Sequence, residues 1–86
     1  EMSQNGFKPA QLTIKKNTIV RFKNVGDTNM WPASNPHPTH TTYQDFDARH
    51  MVKPGETYEF RFKNVGNWGY HDHQSPGLTG RIVVEE

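Results

Sequence analysis

Apolar side chains recur with a period of two in short runs along this chain. Leu12 and Ile14 alternate with polar neighbours, as do Val20 and Phe22, then Tyr58, Phe60 and Phe62, then Trp68 and Tyr70, and finally Ile82 and Val84. Successive side chains of a strand point to opposite faces, so each run predicts a half-buried β-strand. Lys16-Asn17 offers a turn between the first two runs, and Pro54-Gly55 marks one before Tyr58. Seven Gly and six Pro, with Val, Ile, Thr, Phe and Tyr in short stretches, favour strands and turns over helices. With 86 residues the expectation is one all-β domain, residues 1–86, with a modest core.

Between Met30 and Met51 the alternation stops, and Pro32, Pro36 and Pro38 forbid a continuous ladder or a regular helix. This stretch predicts a long loop, with Trp31, Tyr43 and Phe46 supplying the apolar surface to pin it down. The hexapeptide Arg21-Phe22-Lys23-Asn24-Val25-Gly26 recurs as Arg61-Phe62-Lys63-Asn64-Val65-Gly66. The repeat predicts two similar strand exits, each through an Asn-Val-Gly turn, and is too short for a solenoid.

Ten Lys plus Arg against nine Asp plus Glu are scattered along the chain, which argues against a nucleic-acid surface. The sequence contains no cysteine, which excludes disulfides, zinc-thiolate sites and thiol nucleophiles. No run of about 18 apolar residues exists to span a membrane, and the polar start at Glu1 lacks the charged and apolar regions of a signal peptide.

Four of the five histidines fall in two tight clusters, His37-Pro38-Thr39-His40 and Tyr70-His71-Asp72-His73. In the first, flanking prolines restrict the backbone and reduce the entropy lost when both rings converge on one ion. In the second, strand alternation predicts that His71 and His73 share a face while Asp72 points the other way. A stiffened loop and a strand end can meet at one end of a sandwich, bringing His37, His40, His71 and His73 together with the Asp72 carboxylate nearby. Imidazole suits copper, zinc, nickel and iron; a planar nitrogen set favours copper(II), and zinc is the main competitor because it takes histidines tetrahedrally. Asp72 could supply a fifth ligand, or orient a ligating imidazole by a hydrogen bond. Trp31 and Tyr70 would either wall the site or pack in the core. His50 has no histidine close in sequence and reads as surface. Ser34 and Ser75 lack the strand-turn-helix setting of a nucleophile elbow, and Asp45 and Asp47 read as loop hydrogen-bonders near Phe46.

The frame Gly6-Phe7-Lys8-Pro9, Leu12-Thr13-Ile14, Val20-Arg21-Phe22-Lys23-Asn24, Pro54-Gly55-Glu56, Gly66-Asn67-Trp68-Gly69-Tyr70 and Gly80-Arg81-Ile82-Val83-Val84 resembles the cupredoxin family from near Gly6 to the end. The resemblance implies a Greek-key β-sandwich of seven or eight strands, with a long loop between the third strand and the later ones and a metal held by loops at one end. The family's blue site takes a histidine after the third strand, then a cysteine, histidine and methionine from the last loop. Here the cysteine position falls on Asp72, the second histidine on Ser75 and the methionine on Leu78, while Met30 stands near the first histidine. Without the short copper–thiolate bond, intense blue colour is not expected. Tyr70-His71-Asp72-His73 with Gly77-Leu78-Thr79-Gly80 also resembles a segment of multicopper oxidases, and Trp31-Pro32-Ala33-Ser34-Asn35 before His37-Pro38-Thr39-His40 resembles a bacterial cupredoxin branch that carries the same His-Asp-His element.

What the resemblance implies is a non-blue mononuclear copper(II) protein that uses the clustered histidines in place of the lost ligands, for copper sequestration or delivery in the periplasm or at the outer cell surface. A redox or copper-delivery protein would be its partner. Two alternatives stand beside it: a redox or electron-transfer protein with a type 2 copper, and a metal-free interaction module. No catalytic residue is assigned.

Overall fold

The computed structural model describes residues 1–35 and 42–86. Eight strands run through them: β1 (Met2–Ser3), β2 (Gly6–Phe7), β3 (Gln11–Lys15), β4 (Thr18–Lys23), β5 (Pro32–Ser34), β6 (Thr57–Phe62), β7 (Gly66–Asp72) and β8 (Ser75–Glu85). One sheet has the order β3-β8-β7-β5, a second pairs β4 with β6, and β1 and β2 form a small hairpin. The pairing of β3 with β8 is parallel and sets Leu12 beside Ile82 and Ile14 beside Val84; the other pairings are antiparallel. The protein is an all-β Greek-key sandwich.

Alternation put into the sequence emerges as burial. Along β4 the inward positions end on Phe22, along β6 on Phe62, and both rings are buried. Each turn follows from its residues. Asn17 takes a left-handed backbone with φ 74°, which asparagine tolerates better than most side chains. The amide of Lys16 donates to the carbonyl of Glu85 and that of Asn17 to Phe62, so this two-residue crossing is tied to both sheets. Pro54 and Gly55 sit at the centre of a turn closed by Glu56 N–H donating to the Lys53 carbonyl, and Gly55 has φ 86°, the conformation for which that position of a type II turn requires glycine.

Phe46 is completely buried and its ring centroid lies 5.0–5.4 Å from those of Phe22, Phe60, Phe62 and Tyr70. A buried aromatic of this kind contributes about 1.5–3 kcal/mol, and here it anchors the stretch between β5 and β6 to both sheets. Tyr43 adds a second anchor against Phe60, Phe62 and Trp68.

Two expectations need correction. The Met30–Met51 stretch is not all loop. Pro32–Ser34 form β5, whose residues are buried throughout and so show no alternation, and Met30 and Ala33 make further bridges to Val52 and Asp47. Pro32 is tolerated because it opens the strand, where its missing N–H costs no ladder bond. The hexapeptide repeat does not produce two equivalent exits either. Asn24 is buried, donating to the carbonyls of Thr28 and Val52 and accepting from Gly26 N–H, whereas Asn64 is exposed and lends its backbone carbonyl to Trp68 Nε1.

Burial pushes the Tyr58 phenol up to about 12, helped by the Asp47 carboxylate and opposed by the Asp47 backbone hydrogen bond and the Arg49 charge. Burial alone pushes Tyr70 up as well. A folded-state pKa above the unfolded value of 10.0 means that this contribution to stability is fully present below pH 10 and is lost as pH rises through about 12. Urea midpoints should therefore fall above about pH 10, and a Tyr58→Phe/Tyr70→Phe variant should fall less steeply; equal slopes would contradict these environments.

Candidate metal centre

The end of the β7–β8 hairpin carries the second histidine cluster. Asp72 pairs with Ser75, leaving His73 and Gln74 as the two turn residues, and the register shifts between His71 and Asp72. The alternation argument therefore stops one residue too early for His73, which is a turn residue and not a strand partner of His71. Tyr70, His71 and Asp72 are buried in succession, at 3%, 1% and 2% exposure, where simple alternation expected an exposed member.

Strand β5 and its flanks organise this hairpin end. Pro32, Ala33 and Ser34 pair with Asp72, His71 and Tyr70. The ladder is extended by the His73 amide, which donates to the Trp31 carbonyl at 2.7 Å. The Trp31 amide donates in turn to Asp72 Oδ1 at 2.8 Å, and the same oxygen accepts from Gln74 N–H at 3.1 Å. Asp72 thus closes an Asx turn under the hairpin and staples it to β5.

Each histidine of this cluster has a named side-chain neighbour. The Trp31 ring packs on His73 with centroids 4.6 Å apart, and its Nε1 donates to Asp47 Oδ1 at 2.6 Å, which fixes the indole. Asp47 also accepts from Arg49 N–H, the loop-organising role expected of it. His71 Nδ1 lies 2.8 Å from Asn35 Oδ1. Asn35 is held by its own amide, which donates to the Gly69 carbonyl, and its carbonyl accepts from Thr42 N–H at 3.1 Å. Tyr43 N–H donates to Ser34 Oγ. The flanks of the 36–41 segment are therefore hydrogen-bonded to β5 and β7.

His37 and His40 lie outside the described residues. Among the described residues no three His, Cys, Asp or Glu side chains group as metal ligands. His50 is exposed, as expected. Tyr70 is a core residue, packed against Phe7, Phe22 and Phe46, while Trp31 is the aromatic that borders the histidines.

No protein-family model matches the chain. Among curated proteins it is similar to the chloroplastic plastocyanin of Chlamydomonas reinhardtii, with 32% identity, and to that of Tetradesmus obliquus, with 29%. Each match covers 92% of this chain, which spans only 58% of the relative's length. Plastocyanin of Scenedesmus fuscus is 29% identical over 92% of this chain and 86% of the relative. The fold is that of a purple cupredoxin from Nitrosopumilus maritimus, at TM-score 0.82 and 21% identity over 95% of this chain and 84% of the other. The chain has the cupredoxin fold. A Cu(I) form of an amicyanin variant superposes at TM-score 0.80 with 19% identity, over 95% of this chain and 75% of the other.

This cupredoxin-fold chain has no cysteine. At the positions where blue-site ligands were expected, Met30 is fully buried in the core, Asp72 accepts two backbone amides, Ser75 is exposed and Leu78 packs against the core. Of the residues that border or hold the histidines, Trp31 was expected as a wall of the site, whereas Asn35 and Asp47 were not assigned such a role from the sequence. Asn35 stands in the quoted Trp31–Asn35 motif, but nothing in its spacing marks it as a partner of His71.

Removing the Asp72 carboxylate leaves two amides without their acceptor. Asp72→Ala should cost about 1.5–3 kcal/mol in urea unfolding, and Asp72→Asn, which keeps an oxygen at the same place, should recover most of it. Equal losses in the two variants would show that charge, not the amide staple, is what matters.

Proposed function

We propose that this cupredoxin binds one copper ion through His37, His40, His71 and His73, without a thiolate, and serves in copper handling outside the cytoplasm. The observation that carries the reading is the position of His71: a buried imidazole, held at Nδ1, beside the residue that leads directly into the segment bearing His37 and His40. His37 stands two residues after Asn35, and His40 two before Thr42. Asn35 and Thr42, which flank this segment in sequence, are hydrogen-bonded to each other.

The donor set fits copper. Imidazoles without thiolate suit copper(II) in a tetragonal field, and the Irving–Williams order places copper above zinc for the same nitrogen ligands. Asp72 acts from behind as the staple of the hairpin and has no need to touch the ion. Handling is favoured over blue-copper electron transfer because the chain lacks the cysteine on which the blue site depends.

Copper(II) added to the metal-free protein should bind at one equivalent, with nitrogen hyperfine structure in the electron paramagnetic resonance spectrum and no strong blue band. His37→Ala and His73→Ala should each weaken binding by at least about tenfold. No saturable binding would leave a metal-free interaction module as the function. Binding that is lost only in His73→Ala would confine the ion to the hairpin.

A further inference from the structure

We infer that Asn35 is the positioning residue of this site: it holds the His71 proton on Nδ1 and thereby presents Nε2 as the ligating nitrogen. The inference deepens the copper reading and rests on it.

An amide oxygen only accepts hydrogen bonds, so the 2.8 Å contact between Asn35 Oδ1 and His71 Nδ1 requires the proton on Nδ1. A neutral imidazole has one N–H, which leaves the lone pair for a metal on Nε2. His71 is 1% exposed, so its ring is not freely re-solvated in another orientation. The backbone that carries the carboxamide is itself fixed. Its residue donates N–H to the Gly69 carbonyl at 3.0 Å and accepts at its own carbonyl from Thr42, and Nδ2 lies where a side chain at position 69 would begin: a Cβ added to Gly69 would stand 2.7 Å from it. Real Cβ contacts are not that short, so Gly69 is the space that lets Asn35 cross β7 and reach His71. Asn35 also stands immediately before the 36–41 segment in sequence. Partners of this kind are typically worth 10–100-fold in metal affinity.

The test uses the whole chain and has two readouts. In the metal-free protein, nitrogen-15 NMR at a pH where the ring is neutral should show His71 protonated on Nδ1. Copper(II) titration by calorimetry should show an affinity about 10–100-fold weaker in Asn35→Leu, which keeps the size and removes the acceptor. Asn35→Asp, which restores an acceptor, should recover most of the loss. Gly69→Ala should reproduce the Asn35→Leu defect without deleting any hydrogen-bonding group. A His71 proton found on Nε2 would overturn the inference even if every variant misfolded. So would wild-type affinity in Asn35→Leu while His71→Ala loses binding; in that case the histidine site stands and only Asn35 is wrong. Unchanged binding in His71→Ala would remove both.

Discussion

The placement of β5 between two partners is the constraint on which the rest of the histidine end depends. On one side Pro32, Ala33 and Ser34 pair with β7; on the other, Ser34 N–H donates to the Phe46 carbonyl, Ala48 N–H donates to the Pro32 carbonyl, and Ala33 bridges Asp47. The Phe46–Ala48 segment is in turn immobilised by the Phe46 ring, which is buried among aromatics from both sheets. A three-residue strand has little stability of its own. Wedged between a central strand and a segment nailed into the core, it becomes a rigid bar whose two ends, Trp31 and Asn35, each meet a histidine.

That bar explains how a chain without cysteine can still build a defined hairpin end. The side chain of Asp72, at the position where the family resemblance places the cysteine, gathers two amides onto one oxygen. Its oxygen holds β5 and the His73-Gln74 turn together. On the proposed copper reading, metal affinity would come from imidazoles, whose orientation must be set by neighbours because a ring can rotate and exchange tautomers where a thiolate sulfur cannot. Trp31, itself fixed by Asp47, supplies packing to His73, and Asn35 supplies a directional hydrogen bond to His71.

The strands that line the core were legible because their two faces differ. Leu12 and Ile14, Val20 and Phe22, and Tyr58 to Phe62 alternate between core and solvent, and period two survives in the sequence. β5 was hidden because all three of its residues are buried and proline opens it. The His71–His73 pairing was misread because alternation holds only within a regular ladder, and the ladder shifts at Asp72 and turns at His73. The twin hexapeptides mislead for a related reason: identical local sequence meets different surroundings, the Met30–Val52 region at Asn24 and exposed surface at Asn64. The histidine clusters could be read from spacing, but the partners that orient them are tertiary contacts, 36 residues apart for Asn35 and His71.

X-ray absorption at the copper edge of the loaded protein tests the central claim most directly, because it reports the ligands themselves. A site built from His37, His40, His71 and His73 predicts nearest neighbours that are nitrogen or oxygen only, with the multiple-scattering pattern of several imidazole rings. A sulfur neighbour, which in this chain can come only from methionine, or a single imidazole, would contradict a centre that spans the loop and the hairpin.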